Sequence, residues 1–460
     1  MFCLAPLRLF TTGEKNDSRT KEKIVQKPFY QAGAKFTKVM AVLLLGVSQG
    51  WAETVVRDPL GPRPIAESYF SLNVRWGATT PYWPPVRFHS WRVITGETSW
   101  YSLEPVKGMW QFLALDRAVD RAENKQVEVL YTLGYPAKWA TDPKLVSVWN
   151  PGIALPPSDM ADWEEYVRRV AERYKGRIKY YELMNEPHFS EVDRPYSKVD
   201  FPVATMVEMA RIASRVIKQI DPEAKLVSMS PSGRLNGVRR VDAFLKAGGG
   251  QYIDAVSFHF YSESPEHIPE LVSALRKVLA SNGQSRLDIW NTESGFYIAG
   301  PDKPHGVGGI PKNETLYTPE QGGAMVARAL TLGAAAGLRR FYWYSWDIPS
   351  MALTEGKGKV IAPAGNAYIK TGRWLRGATI NECRTADDKL WICTLNRGTR
   401  QAHLVWNTSG ARNWMAPAQW RARQYETLLS GMANVDQSGR IRVDETPLLI
   451  VSDDLAWGTP

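Results

Sequence analysis

The chain contains few of the residues that several large hydrolase classes require. Only three cysteines and six histidines occur among its 460 residues. The histidines form no His-x-His or comparable pair, which argues against a metal hydrolase. Residues 53–460 contain no Gly-x-Ser-x-Gly elbow, which argues against a serine hydrolase. We therefore predict an enzyme without a metal or a cofactor, if the chain is an enzyme at all.

An excess of positive charge is also missing once the N-terminal segment is set apart. Residues 1–52 hold 8 of the 57 basic and 3 of the 47 acidic residues, which leaves 49 and 44 in the remainder. No basic run is interleaved with aromatic residues, so the sequence does not indicate nucleic-acid binding. The small net positive charge of residues 53–460 allows an anionic polymer as a substrate.

The N-terminal segment 1–52 resembles an export signal and is excluded from the fold prediction. Lys35 and Lys38 precede a short apolar run from Met40 to Val47, and the small residues of Gly50-Trp51-Ala52 follow. The run is too short to span a bilayer as a mature helix. We expect a periplasmic or secreted protein, or one anchored to the inner membrane by this segment. A buried strand or helix is the alternative.

Short apolar β-rich runs alternate with segments of helical periodicity, a pattern typical of a parallel sheet. Eight such runs in roughly 300 residues predict a closed (β/α)8 TIM barrel, which we assign to residues 53–378. The candidate strands are Tyr69–Val74, Trp91–Thr95, Val127–Leu133, Lys179–Met184, Lys225–Met229, Ala255–Phe260, Asp288–Thr292 and Phe341–Tyr344. The first crossover, Gly77 to Ser90, is rich in proline and aromatic residues and is predicted to be irregular.

The pattern changes after Pro363–Leu375, the predicted last helix of the barrel. Short alternating strands separated by turn residues predict a small antiparallel, β-sandwich-like domain over residues 379–460. Cys383 and Cys393 flank a predicted hairpin with its turn at Ala386-Asp387-Asp388. They can form a disulfide in an oxidising compartment, and two free buried thiols are the alternative.

Two glutamates follow predicted strands at the barrel end where active sites lie. Glu186 follows the fourth strand in Asn185-Glu186-Pro187, and Glu293 follows the seventh in Trp290-Asn291-Thr292-Glu293-Ser294-Gly295. Two carboxylates facing one another across a barrel suit glycosidic hydrolysis, and a separation of about 5 Å predicts retention of configuration. A structural salt bridge is the alternative for either residue alone.

These two motifs resemble clan A glycoside hydrolases, most closely family 39. That family includes β-xylosidases, α-iduronidases and Psl-type bacterial exopolysaccharide glycosidases, and the resemblance covers about residues 65 to 455. It implies a (β/α)8 barrel with an appended β-domain. It also implies that Glu186 is the acid/base and Glu293 the nucleophile. One departure is that no Asp follows Arg92 in Arg92-Val93-Ile94-Thr95-Gly96, where many relatives carry one.

The resemblance also implies a set of supporting residues. Asn185 corresponds to the residue that binds the sugar 2-hydroxyl, and Arg92 to the arginine that keeps the nucleophile ionised. His259 and Tyr261 resemble a His-x-Tyr pair in which the tyrosine bonds the nucleophile. The aromatic sugar platform is expected from the last strand, with the choice open between its two tryptophans. The candidates for sugar contact are Trp343, Trp346 and Trp139.

General acid–base catalysis requires Glu186 to hold a proton near neutral pH. We therefore expect it in a less polar or more negative setting than Glu293. The predicted activity is retaining hydrolysis of a polysaccharide, with internal cleavage of a bacterial biofilm exopolysaccharide as the first choice. An exo-acting β-xylosidase-like enzyme, or a non-catalytic polysaccharide-binding component of an export complex, is the alternative. We expect a monomer that associates with an exopolysaccharide biosynthesis or export complex.

Overall fold

A computed structural model describes residues 53–145, 155–193, 201–300, 314–385, 389–436, 438–451 and 457. The predicted export segment and the hairpin turn at 386–388 lie outside the described residues. Within the part of the chain that is described, no helix combines the length and apolar character needed to cross a membrane.

Eight parallel strands close into a barrel, which confirms the fold predicted from the sequence. Each barrel strand pairs with the next in chain order, and the last pairs with the first. In chain order the strands are β1 (Thr54–Val56), which lies outside the barrel, followed by the barrel strands β2 (Phe70–Asn73), β3 (Ser90–Val93), β4 (Glu128–Thr132), β5 (Tyr180–Asn185), β6 (Lys225–Ser230), β7 (Ala255–His259), β8 (Asp288–Ser294) and β9 (Arg340–Trp343).

Amphipathic helices cover the outside of the barrel. In α3, for example, Asp159 caps the N-terminus by accepting from the Ala161 N–H at 2.8 Å, and Trp163, Tyr166 and Val170 form the buried face. The helices are α1 (Trp100–Leu103), α2 (Leu113–Asn124), α3 (Met160–Arg173), α4 (Ser190–Asp193), α5 (Val203–Ile220), α6 (Leu235–Lys246), α7 (Ile268–Ser281), α8 (Pro319–Ala335) and α9 (Pro363–Leu375). The β2–β3 crossover contains no helix, as predicted.

The side chains of the barrel strands alternate between the interior and the helix layer. A small cluster that includes Leu130, Trp290 and Tyr342 fills the interior. The Tyr342 hydroxyl donates to Ser90 Oγ at 2.9 Å inside the barrel. The next residue, Trp343, points the other way and stacks on Phe341 in the outer core.

The remaining strands form an antiparallel sheet and two short ribbons. They are β10 (Thr354–Glu355), β11 (Val360–Ile361), β12 (Thr379–Thr385), β13 (Leu390–Arg397), β14 (Arg400–Asn407), β15 (Arg412–Met415), β16 (Gln424–Thr427), β17 (Gly431–Asn434), β18 (Arg440–Val443) and β19 (Leu448–Val451). The sheet order is β1-β12-β13-β14-β19-β16-β17, and the ribbons are β10–β11 and β15–β18. Ile441 and Val443 of β18 pack on Val405 and Ile450 of the sheet.

Strand β1 corrects the N-terminal boundary drawn from the sequence. Residues 53–378 were assigned to the barrel, but β1 pairs antiparallel with β12, with Val56 opposite Cys383. A three-residue strand carries too little pattern to indicate its partner, so only the tertiary structure places it. Cys383 and Cys393 are opposite each other on β12 and β13 and form a disulfide, with Cα atoms 3.9 Å apart.

Candidate active site

The two predicted glutamates lie at the same end of the barrel. Glu186 directly follows β5, and Glu293 is near the end of β8, so both project at the C-terminal mouth. A carboxylate oxygen of Glu186 lies within 4.8 Å of one of Glu293. Glu186 has φ = 46°, the left-handed region that is costly for a residue with a Cβ. Such strain is concentrated at functional sites.

Irregular strand pairing turns the supporting side chains toward these carboxylates. The β5–β6 register shifts on both sides of Leu183, and as a result both Glu182 and Asn185 reach the interior. Regular alternation would place those two residues on opposite faces, because three positions separate them. A similar shift lies between Asn291 and Ser294 in the β8–β9 pairing. Bulges of this kind re-aim side chains next to active sites.

Arg92 connects the residues at the base of the site. Its side chain is fully buried on β3. Nη1 donates to Glu293 Oε2 at 2.7 Å, Nε donates to Glu182 Oε2 at 2.8 Å, and Nη2 donates to Asn185 Oδ1 at 2.7 Å. The guanidinium therefore holds Glu293 by a charge-assisted bond. Glu182, which also accepts from Thr132 Oγ1 at 2.8 Å, is a partner that the sequence analysis missed.

His259 and Tyr261 contact different glutamates: Tyr261 bonds Glu293, and His259 bonds Glu186. The Tyr261 hydroxyl donates to Glu293 Oε1 at 2.7 Å, so Glu293 has a donor on each oxygen. His259 Nδ1 lies 2.9 Å from Glu186 Oε1, and its Nε2 lies 3.9 Å from Glu293 Oε2. Both residues lie at the end of β7, two positions apart, so they share a face of the strand.

The charge state of Glu186 differs from the one expected from the sequence. Burial raises the pKa of Glu186, but the bond and the attraction from His259, with smaller effects of Ser232 and Arg92, outweigh burial and lower it from 4.5 to about 2. We expected a setting that keeps Glu186 protonated, whereas the contact with His259 favours its ionised form. The physical reason is the imidazole at hydrogen-bond distance, which favours the ionised carboxylate.

Glu186, His259 and Glu293 are also a group that could bind a metal ion. Each of the three side chains already makes a hydrogen bond: His259 Nδ1 bonds Glu186, and Glu293 accepts from Arg92 and Tyr261. The positive charge of Arg92 beside Glu293 opposes a second cation at this position. The arrangement is better suited to proton transfer and nucleophilic attack.

Two cavities meet at the glutamates. The first, about 370 Å³, is lined by the loops after β2, β3 and β4 and is called the Arg75 cavity. The second, about 570 Å³, is lined by the loops after β6, β7 and β8 and is called the Tyr317 cavity. Glu186, Glu293 and Tyr344 line both cavities. Both volumes fall in the usual range of ligand sites.

The aromatic residue that faces the site from β9 is Tyr344, not a tryptophan. Trp343 is 0% exposed and Trp346 is 1% exposed, so neither offers a face for stacking. Trp343 points to the helix layer because Tyr342 points inward, and the same alternation brings Tyr344 to the mouth. Trp346 is covered by the β10–β11 turn, where Gly358 packs against its ring. The expectation of a Trp343 or Trp346 platform is therefore wrong.

Trp139 is likewise not among the residues that line these two cavities. Its indole N–H donates to the Glu104 carbonyl at 2.9 Å, and its ring packs edge-on against Trp100. The structure instead brings Tyr101 and Tyr135 into the Arg75 cavity. Neither tyrosine was among the predicted site residues, because no local pattern shows which loop side chains turn into the cavity.

The similarity of this chain to known proteins lies in its structure rather than in its sequence. No family model matches the sequence. The structure is similar to a family 39 glycoside hydrolase from Bacteroides cellulosilyticus WH2, with a TM-score of 0.62, 17% identity, and 85% of this chain and 82% of that chain covered. A GH39 β-xylosidase from Caulobacter crescentus matches with a TM-score of 0.53, 13% identity and coverage of 87% and 99%. A GH30 endoxylanase from Clostridium papyrosolvens C71 matches with a TM-score of 0.55, 12% identity and coverage of 87% and 99%. At these identities the likeness establishes the fold, which is that of the barrel glycoside hydrolases.

Proposed function

We propose that the chain is a retaining glycoside hydrolase with Glu293 as the nucleophile and Glu186 as the acid/base. The observation that carries the proposal is the spacing of the two carboxylates, whose nearer oxygens lie within 4.8 Å. Carboxylates about 5 Å apart leave no room for a water molecule between them and the sugar, so one must attack directly. The resemblance of both strand-end motifs to clan A, and the fold of the structural neighbours, support the same activity.

In the first step, Glu293 attacks the anomeric carbon while the glycosidic C–O bond breaks and the leaving oxygen takes a proton. Arg92 and Tyr261 hold Glu293 ionised and aligned through bonds of 2.7 Å each. In the second step, water attacks the anomeric carbon, gives its proton to Glu186 and releases Glu293. Loss of the Glu293 charge in the covalent intermediate favours the ionised form of Glu186, which can accept the proton of that water.

Proton donation to the leaving oxygen in the first step depends on both Glu186 and His259, which lie at hydrogen-bond distance from each other. His259 lowers the pKa of Glu186 to about 2, so Glu186 acts as the acid with the help of a proton shared across its bond to the imidazole. Nδ1 is 2.9 Å from Oε1, a distance over which the proton can pass to Glu186 and then to the leaving oxygen.

Cleavage within a chain, rather than at its end, is supported by the two cavities. Sugar units on both sides of the scissile bond can occupy the Arg75 and Tyr317 cavities at once. An endo-acting enzyme releases a ladder of oligosaccharides and lowers the viscosity early, whereas the exo-acting alternative releases monosaccharide first. Chromatography of the early products decides between them.

The nucleophile is tested by trapping. After a screen of aryl glycosides and bacterial exopolysaccharides, the 2-deoxy-2-fluoro glycoside of the accepted sugar is incubated with the enzyme and the adduct is mapped by mass spectrometry. We expect the adduct on Glu293, retention of anomeric configuration by NMR, and loss of turnover by at least about 10⁴-fold in Glu293→Gln. Glu164→Gln, a surface change on α3, serves as the matched control. An active Glu293→Gln variant refutes the assignment, and sugar binding without any turnover favours the binding-component alternative.

We further propose that the substrate is a bacterial exopolysaccharide and that the protein acts outside the cytoplasm, in the periplasm or after secretion. The Cys383–Cys393 disulfide supports export, because disulfides persist in oxidising compartments. The resemblance to Psl-type enzymes supports the substrate class. Fractionation of cells that produce the protein, with N-terminal sequencing of the mature chain, tests the location, and co-purification tests association with an export complex.

A further inference from the structure

The Arg75 cavity carries a positive charge that the proposed mechanism does not use. Arg75 lies two residues after β2, is exposed, and lines the cavity beside Tyr101, Tyr135 and Tyr344. Its backbone N–H donates to the Asp347 carboxylate at 2.8 Å, and its guanidinium stacks on Trp76. Among the described residues no carboxylate lies within ion-pair distance of that guanidinium, whereas the other arginine of the site, Arg92, bonds two carboxylates.

A second cation lies beside the same aromatic ring. The Arg75 Cζ atom is 5.5 Å from the centre of the Trp76 ring, and Lys357 Nζ is 5.7 Å from that centre. Lys357 lies in the β10–β11 turn, where Lys357 and the glycines on both sides have positive φ values, 58° for Gly356, 58° for Lys357 and 93° for Gly358. The turn carries the lysine to the Trp76 ring, next to Arg75 but outside the lining of the Arg75 cavity, and no described carboxylate pairs with it. Arg75, Trp76 and Lys357 together are called the basic cluster.

The opposite cavity has the reverse charge. Among the residues of the described ranges that line it, the Tyr317 cavity has Glu263 and Glu314, and a single arginine, Arg234, that lies 3.2 Å from Glu263. An anionic group is therefore repelled from the Tyr317 side and attracted to the Arg75 side. Such asymmetry around the reacting bond orients a charged substrate in one direction.

We propose that the Arg75 cavity binds a negatively charged sugar unit, with its anionic group on Arg75 and Lys357. This inference rests on the proposed glycosidase function and adds the substrate class, an acidic polysaccharide. Arginine forms two parallel bonds to a carboxylate or to a sulfate ester, and lysine adds a second charge. The two anion types share this chemistry, so the experiment must separate them.

Binding is measured without turnover, in the Glu293→Gln protein, by native affinity electrophoresis. The gels contain alginate, polygalacturonate, xanthan or hyaluronan as uronate polymers, heparin or dextran sulfate as sulfated ones, and xylan, galactomannan or mixed-linkage glucan as neutral ones. Carboxyl-reduced samples of the uronate polymers keep the backbone and lose the charge. We expect retardation by at least one acidic polymer, loss of it on carboxyl reduction if uronate is the ligand, and weakening at high salt.

The basic cluster is then tested directly. Arg75→Gln and Lys357→Gln are each expected to weaken Kd for the retained acidic polymer by about tenfold, as for loss of a charge-assisted bond, with no change for a neutral one. Arg87→Gln is the matched control, because it removes one positive charge near the opposite end of the barrel, beside Glu67. Three results would overturn the proposal. They are the absence of retardation by any acidic polymer, an equal loss of affinity for neutral polymers in the variants, and an unchanged Kd for the acidic polymer in both variants. If the wild type binds an acidic polymer through the basic cluster but does not hydrolyse it, the proposed glycosidase function is refuted and the proposed subsite is not.

Discussion

Arg92→Met tests whether one buried cation supports both the stability and the chemistry of the site. The change keeps the aliphatic stem and removes three bonds of 2.7 to 2.8 Å, to Glu182, Asn185 and Glu293. Glu182 is 0% exposed and would remain as a buried charge without a cation. Removing one partner of a buried ion pair costs about 3–5 kcal/mol.

The expected shift in Tm follows from the size of the folded unit. Trp51–Pro460 forms one compact unit. At about 2.1 cal/mol/K per residue, a unit of roughly 400 residues unfolds with an entropy of roughly 0.8 kcal/mol/K. A loss of about 3–5 kcal/mol therefore lowers the Tm by about 4–6 °C. Turnover should fall by at least about 10²-fold, because Glu293 loses its cation.

A double variant separates the two effects. Scanning fluorimetry at a fixed heating rate is run on the wild type, Arg92→Met, and Arg92→Met with Glu182→Met. The second change removes the unpaired Glu182 carboxylate, so the double variant should recover more than half of the decrease in Tm caused by Arg92→Met. Its activity should stay low. Arg215→Met, on the surface of α5, controls for loss of a solvated ion pair. The reasoning fails if Arg92→Met melts within 1 °C of the control, or if Glu182→Met lowers the Tm further.

Three other changes have defined outcomes. His259→Gln removes the imidazole that lowers the pKa of Glu186 from 4.5 to about 2. In the wild type, the stability that comes from the ionised carboxylate is present above pH 4.5 and is lost as the pH falls toward 2. The Tm difference between the two proteins should therefore shrink over that interval, and a constant difference would contradict the reasoning. Tyr261→Phe should lower kcat/KM about 10- to 100-fold without unfolding the protein, since a bond to a charged group is worth about 1.5–3 kcal/mol, and an unchanged kcat/KM would contradict its role. Replacing Cys383 and Cys393 by Ala opens a link with a sequence separation of 10 and should cost about 3 kcal/mol, read as a Tm drop of about 3–4 °C that reductant reproduces in the wild type.

The barrel itself could be predicted from the sequence because its signals are local. Apolar strand runs alternate with helical periodicity, and each residue range needs only its own pattern to be recognised. The positions of Glu186 and Glu293 followed from the same patterns, since a residue just after a parallel strand must lie at the C-terminal mouth. Arg92 lies within β3, His259 ends β7 and Tyr261 lies just beyond it, and the structure brings all three to the two glutamates.

What only the tertiary structure decided is which way side chains face and what they contact. A four-residue strand does not reveal which of its residues face inward, so the sequence left the choice open between Trp343 and Trp346, whereas Tyr344 faces the site. A bulge brings both Glu182 and Asn185 to Arg92, which alternation alone forbids. The proton balance of Glu186 depends on an imidazole 73 residues away in sequence. Local pattern fixes where elements begin and end, whereas contacts between distant segments fix charge state and orientation.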